Sequence, residues 1–131
     1  MPRLLSFLVC IVTVLNLSSF RCQADDLKIT TIPSNSGYVE TAHISHYHNE
    51  IFIEGWLKPH YWMGSSKIYF TVDVKNARGK VIATKTGYAY PTGRPQTIVQ
   101  FGVPYVISFE SSQLANATAI DVRYTGLWAE K

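Results

Sequence analysis

The sequence predicts an all-β protein folded as an antiparallel β-sandwich, and three observations predict it. Apolar and polar residues alternate with a period of two in several short stretches, the spacing of a strand with one buried face. Clusters of Gly, Pro, Asn and Ser separate those stretches at short, regular intervals, as the turns of a sandwich or small barrel require. No stretch sustains a helical period over three turns, and no internal repeat is evident.

The first 24 residues stand apart. Arg3 is followed by an apolar run from Leu4 to Leu17, then by small and polar residues ending Arg21-Cys22-Gln23-Ala24. A charged start, an apolar middle and Ala before a cleavage point make this a secretory signal peptide. The apolar run is shorter than the about 20 residues a spanning helix needs. Retention as an N-terminal anchor is the alternative, and Arg21 stands where a lipoprotein box places a small residue before its Cys. Cleavage leaves residues 25–131, which is 107 of the 131 residues and enough for one domain. Cys10 and Cys22 both lie in the leader, so an exported mature chain is expected to hold no disulfide. Its core depends instead on bulk from three Trp, eight Tyr and the four Phe beyond the leader. Arg3 and Arg21 leave with the leader, so ten basic residues face nine acidic ones, a net charge of +1. A balance that small gives no support for nucleic acid as a partner.

The elements follow in chain order. Residues 25–37 open acidic; Leu27, Ile29 and Ile32 suit a short edge strand, and 33–37 form a loop. Residues 38–48 carry mixed alternation and a strand over part of their length. In 50–57, Ile51, Ile53 and Leu57 alternate with Phe52, Glu54 and Trp56, and Gly55 marks a bulge or a close backbone approach. Residues 58–66 are a loop holding Pro59 and Gly64. The organising element is the hairpin 67–86. Ile68, Phe70, Val72 and Val74 line one face and Tyr69, Thr71, Asp73 and Lys75 the other. Asn76 and Gly79 bracket its turn, because both tolerate left-handed backbone, and the return strand 80–86 is β-branched. A loop rich in Tyr, Pro and Gly spans 87–95, and a short strand is expected over 97–102. Residues 105–110 form a strand with Tyr105, Ile107 and Phe109 on one face. A connection over 111–117 has room for one helical turn. The last strand, 119–125, faces Ile120, Val122 and Tyr124 inward and Asp121 and Arg123 outward, and Leu127-Trp128 is expected to cap the core. About 6–8 strands result. Two sheets of this length sharing one aromatic core favour an immunoglobulin-like sandwich.

A family resemblance points the same way. The run Ile53-Glu54-Gly55-Trp56-Leu57, the strand 67–74 and the turn Asn76-Ala77-Arg78-Gly79-Lys80-Val81-Ile82-Ala83 are similar to small exported β-sandwich domains of the bacterial envelope, FxLYD-like modules among them. Those domains join a Gly-bearing strand, a variable loop, a long strand and a D-x-x-G-x-V turn. Phe109 and residues 120–124 fall where such domains place closing strands. The resemblance spans roughly residues 50–125, and Asn76 stands where Asp is usual. It implies the sandwich and an envelope location, and it carries over no functional residue.

Two sets of residues carry candidate chemistry. All four histidines, His43, His46, His48 and His60, lie within eighteen positions. On a strand His46 and His48 share a face, two imidazoles so spaced chelate one ion, and His60 and Met63 follow in the next loop. Imidazole with thioether suits copper, and imidazole alone suits zinc. Histidines on the polar face of a sheet are ordinary, however, and no C-x-x-C or H-E-x-x-H spacing sharpens the metal reading. The second set is aromatic: Trp56, Tyr61 and Trp62 in or beside one loop, Tyr88 and Tyr90 in another. Aromatic rings on Gly- and Pro-rich loops make a platform for a sugar, a peptide or a protein, although alternating aromatics also serve as core.

Enzyme constellations are nearly absent. There is no G-x-S-x-G elbow, and 87–93 lacks the Lys-Ser/Thr of a phosphate loop. Glu50 and Glu54 on one strand face sit about 13 Å apart, wider than paired glycosidase carboxylates need. Asn116-Ala117-Thr118 fits a glycosylation sequon, relevant only in a eukaryotic host. The expectation is a non-catalytic, exported, periplasmic or secreted binding module that meets a protein or small ligand through the loops at 56–64 and 87–95. The alternative is a periplasmic copper or zinc binder using the histidines. Neither reading makes it an integral membrane protein once the leader is removed.

Overall fold

The computed structural model describes residues 27–62 and 67–126. The expected leader, Met63 and the expected Leu127-Trp128 cap lie outside the described residues. The central hairpin forms as its alternation predicts. In β4 (Ile68–Lys75) the side chains of Ile68, Phe70, Val72 and Val74 are wholly buried. The chain reverses at Asn76, whose Oδ1 accepts hydrogen bonds from the backbone N–H of both Arg78 and Lys80, each at 3.0 Å. Gly79 takes φ +77°, where an L side chain is strained. The return strand β5 (Val81–Ala89) is longer than expected: Gly87, Tyr88 and Ala89 belong to it, not to the following loop. Gly87 fits there because Phe70 lies beneath it, with Cζ 2.6 Å from where a Cβ would stand.

Four strands make one sheet in the order β1 (Lys28–Ile32), β7 (Ala119–Gly126), β4, β5. Three make the other: β2 (Gly37–Tyr47), β3 (Glu50–Pro59), β6 (Val103–Glu110). The first sheet is mixed, since β1 runs parallel to β7; an all-antiparallel arrangement is therefore corrected at this edge. Parallel pairing is open to β1 and β7 because a long stretch of chain, not a hairpin, joins them. β3 pairs with β6 in one sheet while their neighbours in sequence, β4 and β7, pair in the other. The core between the sheets takes Ile51, Ile53, Leu57, Tyr105, Ile107, Phe109, Ile120, Val122 and Tyr124, and the Phe70 and Tyr105 rings meet at 4.7 Å.

One departure from the expected elements lies at one end of the sandwich. Residues 97–102 are not a strand: α1 (Pro95–Phe101) is helical, with Pro at its start and the Thr97 and Ile98 amides donating to the Arg94 carbonyl. It buries Ile98 and leaves Gln96 and Gln100 exposed. Gly55 marks a close approach, because a Cβ there would stand 1.9 Å from the Thr41 carbonyl oxygen; the register shift lies opposite, in β2 between Val39 and Thr41. A 3-10 turn over Ser111–Leu114 fills the connection before β7.

The pairings place β2, β4 and β6 starting, and β3, β5 and β7 finishing, at one end of the sandwich. That end also carries the 60–62 segment, α1 and the β5–α1 connection. The β2–β3 and β4–β5 turns lie at the opposite end.

Candidate functional site

The aromatic residues singled out in the sequence do not form one surface. Trp62 is buried, and its indole belongs to the core. Trp56 stands on the exposed face of the three-stranded sheet, opposite Pro104 in register, with Val106 exposed on the same strand as Pro104. Tyr61, Tyr88 and Tyr90 are more than half exposed, at 56%, 54% and 59%.

Tyr88 and Tyr90 are part of a larger group. They are two residues apart, on one face at the end of β5, and their rings meet edge to face at 5.7 Å. Tyr69 of β4 is the cross-strand partner of Tyr88, ring to ring at 6.2 Å. The Lys67 ammonium sits over the Tyr88 ring at 4.4 Å and over Tyr90 at 5.4 Å, a cation–π arrangement. Tyr69 and Lys67 are absent from the sequence-predicted set. The signal was there: carrying the hairpin register past Thr86 sets Tyr69 against Tyr88.

A groove lies at the same end, between the 60–62 segment and α1. It encloses about 430 Å³ and is lined by His60, Tyr61, Trp62, Pro95, Gln96, Val99 and Gln100. Its walls are mostly apolar, and the Gln96 and Gln100 amides supply both donors and acceptors.

Charge is unevenly placed. On the outer face of the four-stranded sheet, toward the opposite end, the carboxylates are compensated. Lys75 pairs with Asp121, and Arg123 Nη2 reaches Asp73 Oδ2 at 3.1 Å. Thr84 donates to Asp73 Oδ1 at 2.9 Å. The segments that build the aromatic end (33–38, 57–62, 67–69, 87–104 and 124–126) contain Lys58, Lys67, Arg94 and His60 but no Asp or Glu. Among the described residues no carboxylate pairs with Lys58, Lys67 or Arg94. Just below this end, burial pushes the Tyr124 hydroxyl up to about 12, and the negative charge that Tyr61 gains on ionising adds to the rise. Tyr105, held by a 2.9 Å hydrogen bond from its hydroxyl to the Thr41 carbonyl, is pushed up by burial as well.

The histidines are dispersed. His43 lies on the outer face of β2, opposite Glu54. His46 is near the end of that strand, but His48 leaves it: it begins the two-residue turn to β3 with φ +56°, its ring against Tyr47 at 4.3 Å. The two imidazoles therefore lack the same-face strand geometry expected of them. His60 sits at the other end of β3, roughly 30 Å away by strand rise, with Nδ1 3.2 Å from the Asn35 carbonyl oxygen. Among the described residues no three His, Cys, Asp or Glu side chains gather as a metal-binding group. Likewise, no described helix is long and apolar enough to cross a membrane. No family model matches the chain, and no curated protein or solved structure matches it.

Proposed function

We propose that this chain is an exported, non-catalytic binding module of the cell envelope, an immunoglobulin-like sandwich that meets its partner with the end built by Tyr61, Lys67, Tyr69, Tyr88, Tyr90 and α1. The observation that carries the reading is the aromatic–lysine cluster. Two exposed rings, Tyr88 and Tyr90, a half-buried one, Tyr69, and an ammonium group gather where β4 starts and β5 finishes, at the end where the helical groove also opens. Such rings cost little entropy to immobilise and present large contact areas, so their place on a scaffold suits recognition. The interlocked β3–β6 and β4–β7 pairs support the immunoglobulin-like description, although the strand order differs from that of antibody constant domains. The leader supports export, and cleavage after Ala24 predicts a secreted form whose first residue is Asp25, read by N-terminal sequencing.

Photocrosslinking in the native host tests the reading. With p-benzoylphenylalanine at position 88, a discrete adduct is expected. At position 47, where Tyr47 is exposed at the opposite end, none is expected. No adduct at 88, or the same adduct at both positions, overturns it.

A further inference from the structure

We propose that the ligand of the aromatic end is an acidic oligosaccharide, a chain of sugars bearing carboxylates; this rests on the assignment of binding to that end. Three features share this end. The first is charge: Lys58, Lys67 and Arg94 occupy this end without a carboxylate partner among the described residues. The nearest carboxylate along the strands, Glu40, sits back at the β2 bulge. Beyond the leader the net charge is only +1, so this is segregation of charge and not general basicity. An anion at this end meets these cations and no carboxylate of the described segments that build it.

The second feature is the rings. Sugar C–H bonds carry slight positive charge and lie well against the negative face of an aromatic ring. Tyr88 and Tyr90 are exposed and stand edge to face, so a chain of linked rings crossing them meets two differently tilted surfaces. Lys67 Nζ, within 4.4 Å of the Tyr88 centroid, is placed to meet a carboxylate on a sugar resting there. The third is the groove beside Trp62. Its Gln96 and Gln100 amides offer donors and acceptors together, the demand that neighbouring hydroxyls make and a phosphate does not.

Other anions fit less well. Three cations are few for a polyphosphate backbone, whose binding is dominated by many lysine and arginine contacts. An anionic bilayer would favour an apolar face ringed by many more basic residues.

Binding of hexagalacturonate, an alginate hexamer and a hyaluronan hexamer to the mature protein tests the proposal by calorimetry. The controls are fully methyl-esterified hexagalacturonate, single-stranded DNA and vesicles containing phosphatidylglycerol. At least one acid hexamer is expected to bind, and the ester at least tenfold more weakly than the acid if that hexamer is the galacturonate. Lys67→Gln is expected to weaken the acid form about tenfold and to spare any ester binding, whereas Tyr90→Ala weakens both. Circular dichroism of each variant separates lost binding from lost folding. Failure of all three acid hexamers, equal binding of acid and ester, indifference to Lys67→Gln, or binding only to DNA or vesicles overturns the assignment. A position-88 crosslink alongside such a failure leaves the binding end standing and removes only its ligand class.

Discussion

At the scale of single residues, Tyr124 joins the core to the aromatic end and contributes to how the protein responds to alkali. Only 2% exposed, it is held neutral by burial, with its ionisation raised from the ordinary 10.0 to about 12. A raised value in the folded state means that the stabilisation is whole below pH 10 and is lost as pH climbs through about 12. A two-unit rise corresponds to roughly 2–3 kcal/mol. Tyr124→Phe removes this dependence while keeping the ring. Urea midpoints measured from pH 9 to 12.5 are expected to fall more gently for the variant than for the wild type, and parallel curves would contradict the assignment. Gly55 is a second residue whose role is spatial. In Gly55→Ala the new Cβ meets the Thr41 carbonyl oxygen at 1.9 Å unless β2 shifts, so about 3 kcal/mol of stability should be lost on urea titration. The sequence marked this glycine for close approach. It misled over the histidines, because the turn residue His48 reads as a continuation of the strand.

At the scale of elements, alternation located most strands to within a few residues, because each has one face in the core. It failed where the pattern is short. Thr97, Val99 and Phe101 alternate with Ile98 and Gln100, and seven residues of helix bury only Ile98, so periodicity cannot separate the two states. Pro95 was the better signal, since Pro is pre-organised for the first turn of a helix. β5 runs past its expected end because Gly87, which reads as a break, is the residue that lets the Phe70 ring lie beneath the strand. Two predictions belong here. Ile98→Ala should cost about 2–3 kcal/mol, since it removes the fully buried side chain of α1, which Val99 only flanks, and it should loosen the groove, visible as faster amide exchange over 95–101. Asn76→Ala removes one acceptor serving two backbone N–H groups and should cost about 1–2 kcal/mol without changing exchange at α1. Equal exchange in both variants would mean that α1 is held by something other than Ile98.

At the scale of the whole molecule, what the sequence could not show was convergence. Residues 60–62, 67–69 and 88–102 meet only because β3 and β5 finish where β4 and β6 begin. The cationic end, with no Asp or Glu among the described segments that build it, appears only once those pairings are known. The parallel β1–β7 edge was hidden for the same reason, since nothing local in residues 28–32 names a partner some ninety positions away. The interlocked pairs make the two sheets interdependent. Freeing β3 from β6 disturbs the crossings to β4 and β7, so neither sheet keeps its inner face covered alone. Beyond Cys22 the chain has no cysteine, and packing must hold the sheets together unaided. Unfolding should therefore be a single transition. Tryptophan fluorescence, which reports Trp56, Trp62 and Trp128 together, and far-ultraviolet circular dichroism, which reports the strands, should give one urea midpoint with and without reductant. Separate midpoints would show that one sheet outlasts the other, and the aromatic end, which draws residues from both, would then be no rigid platform.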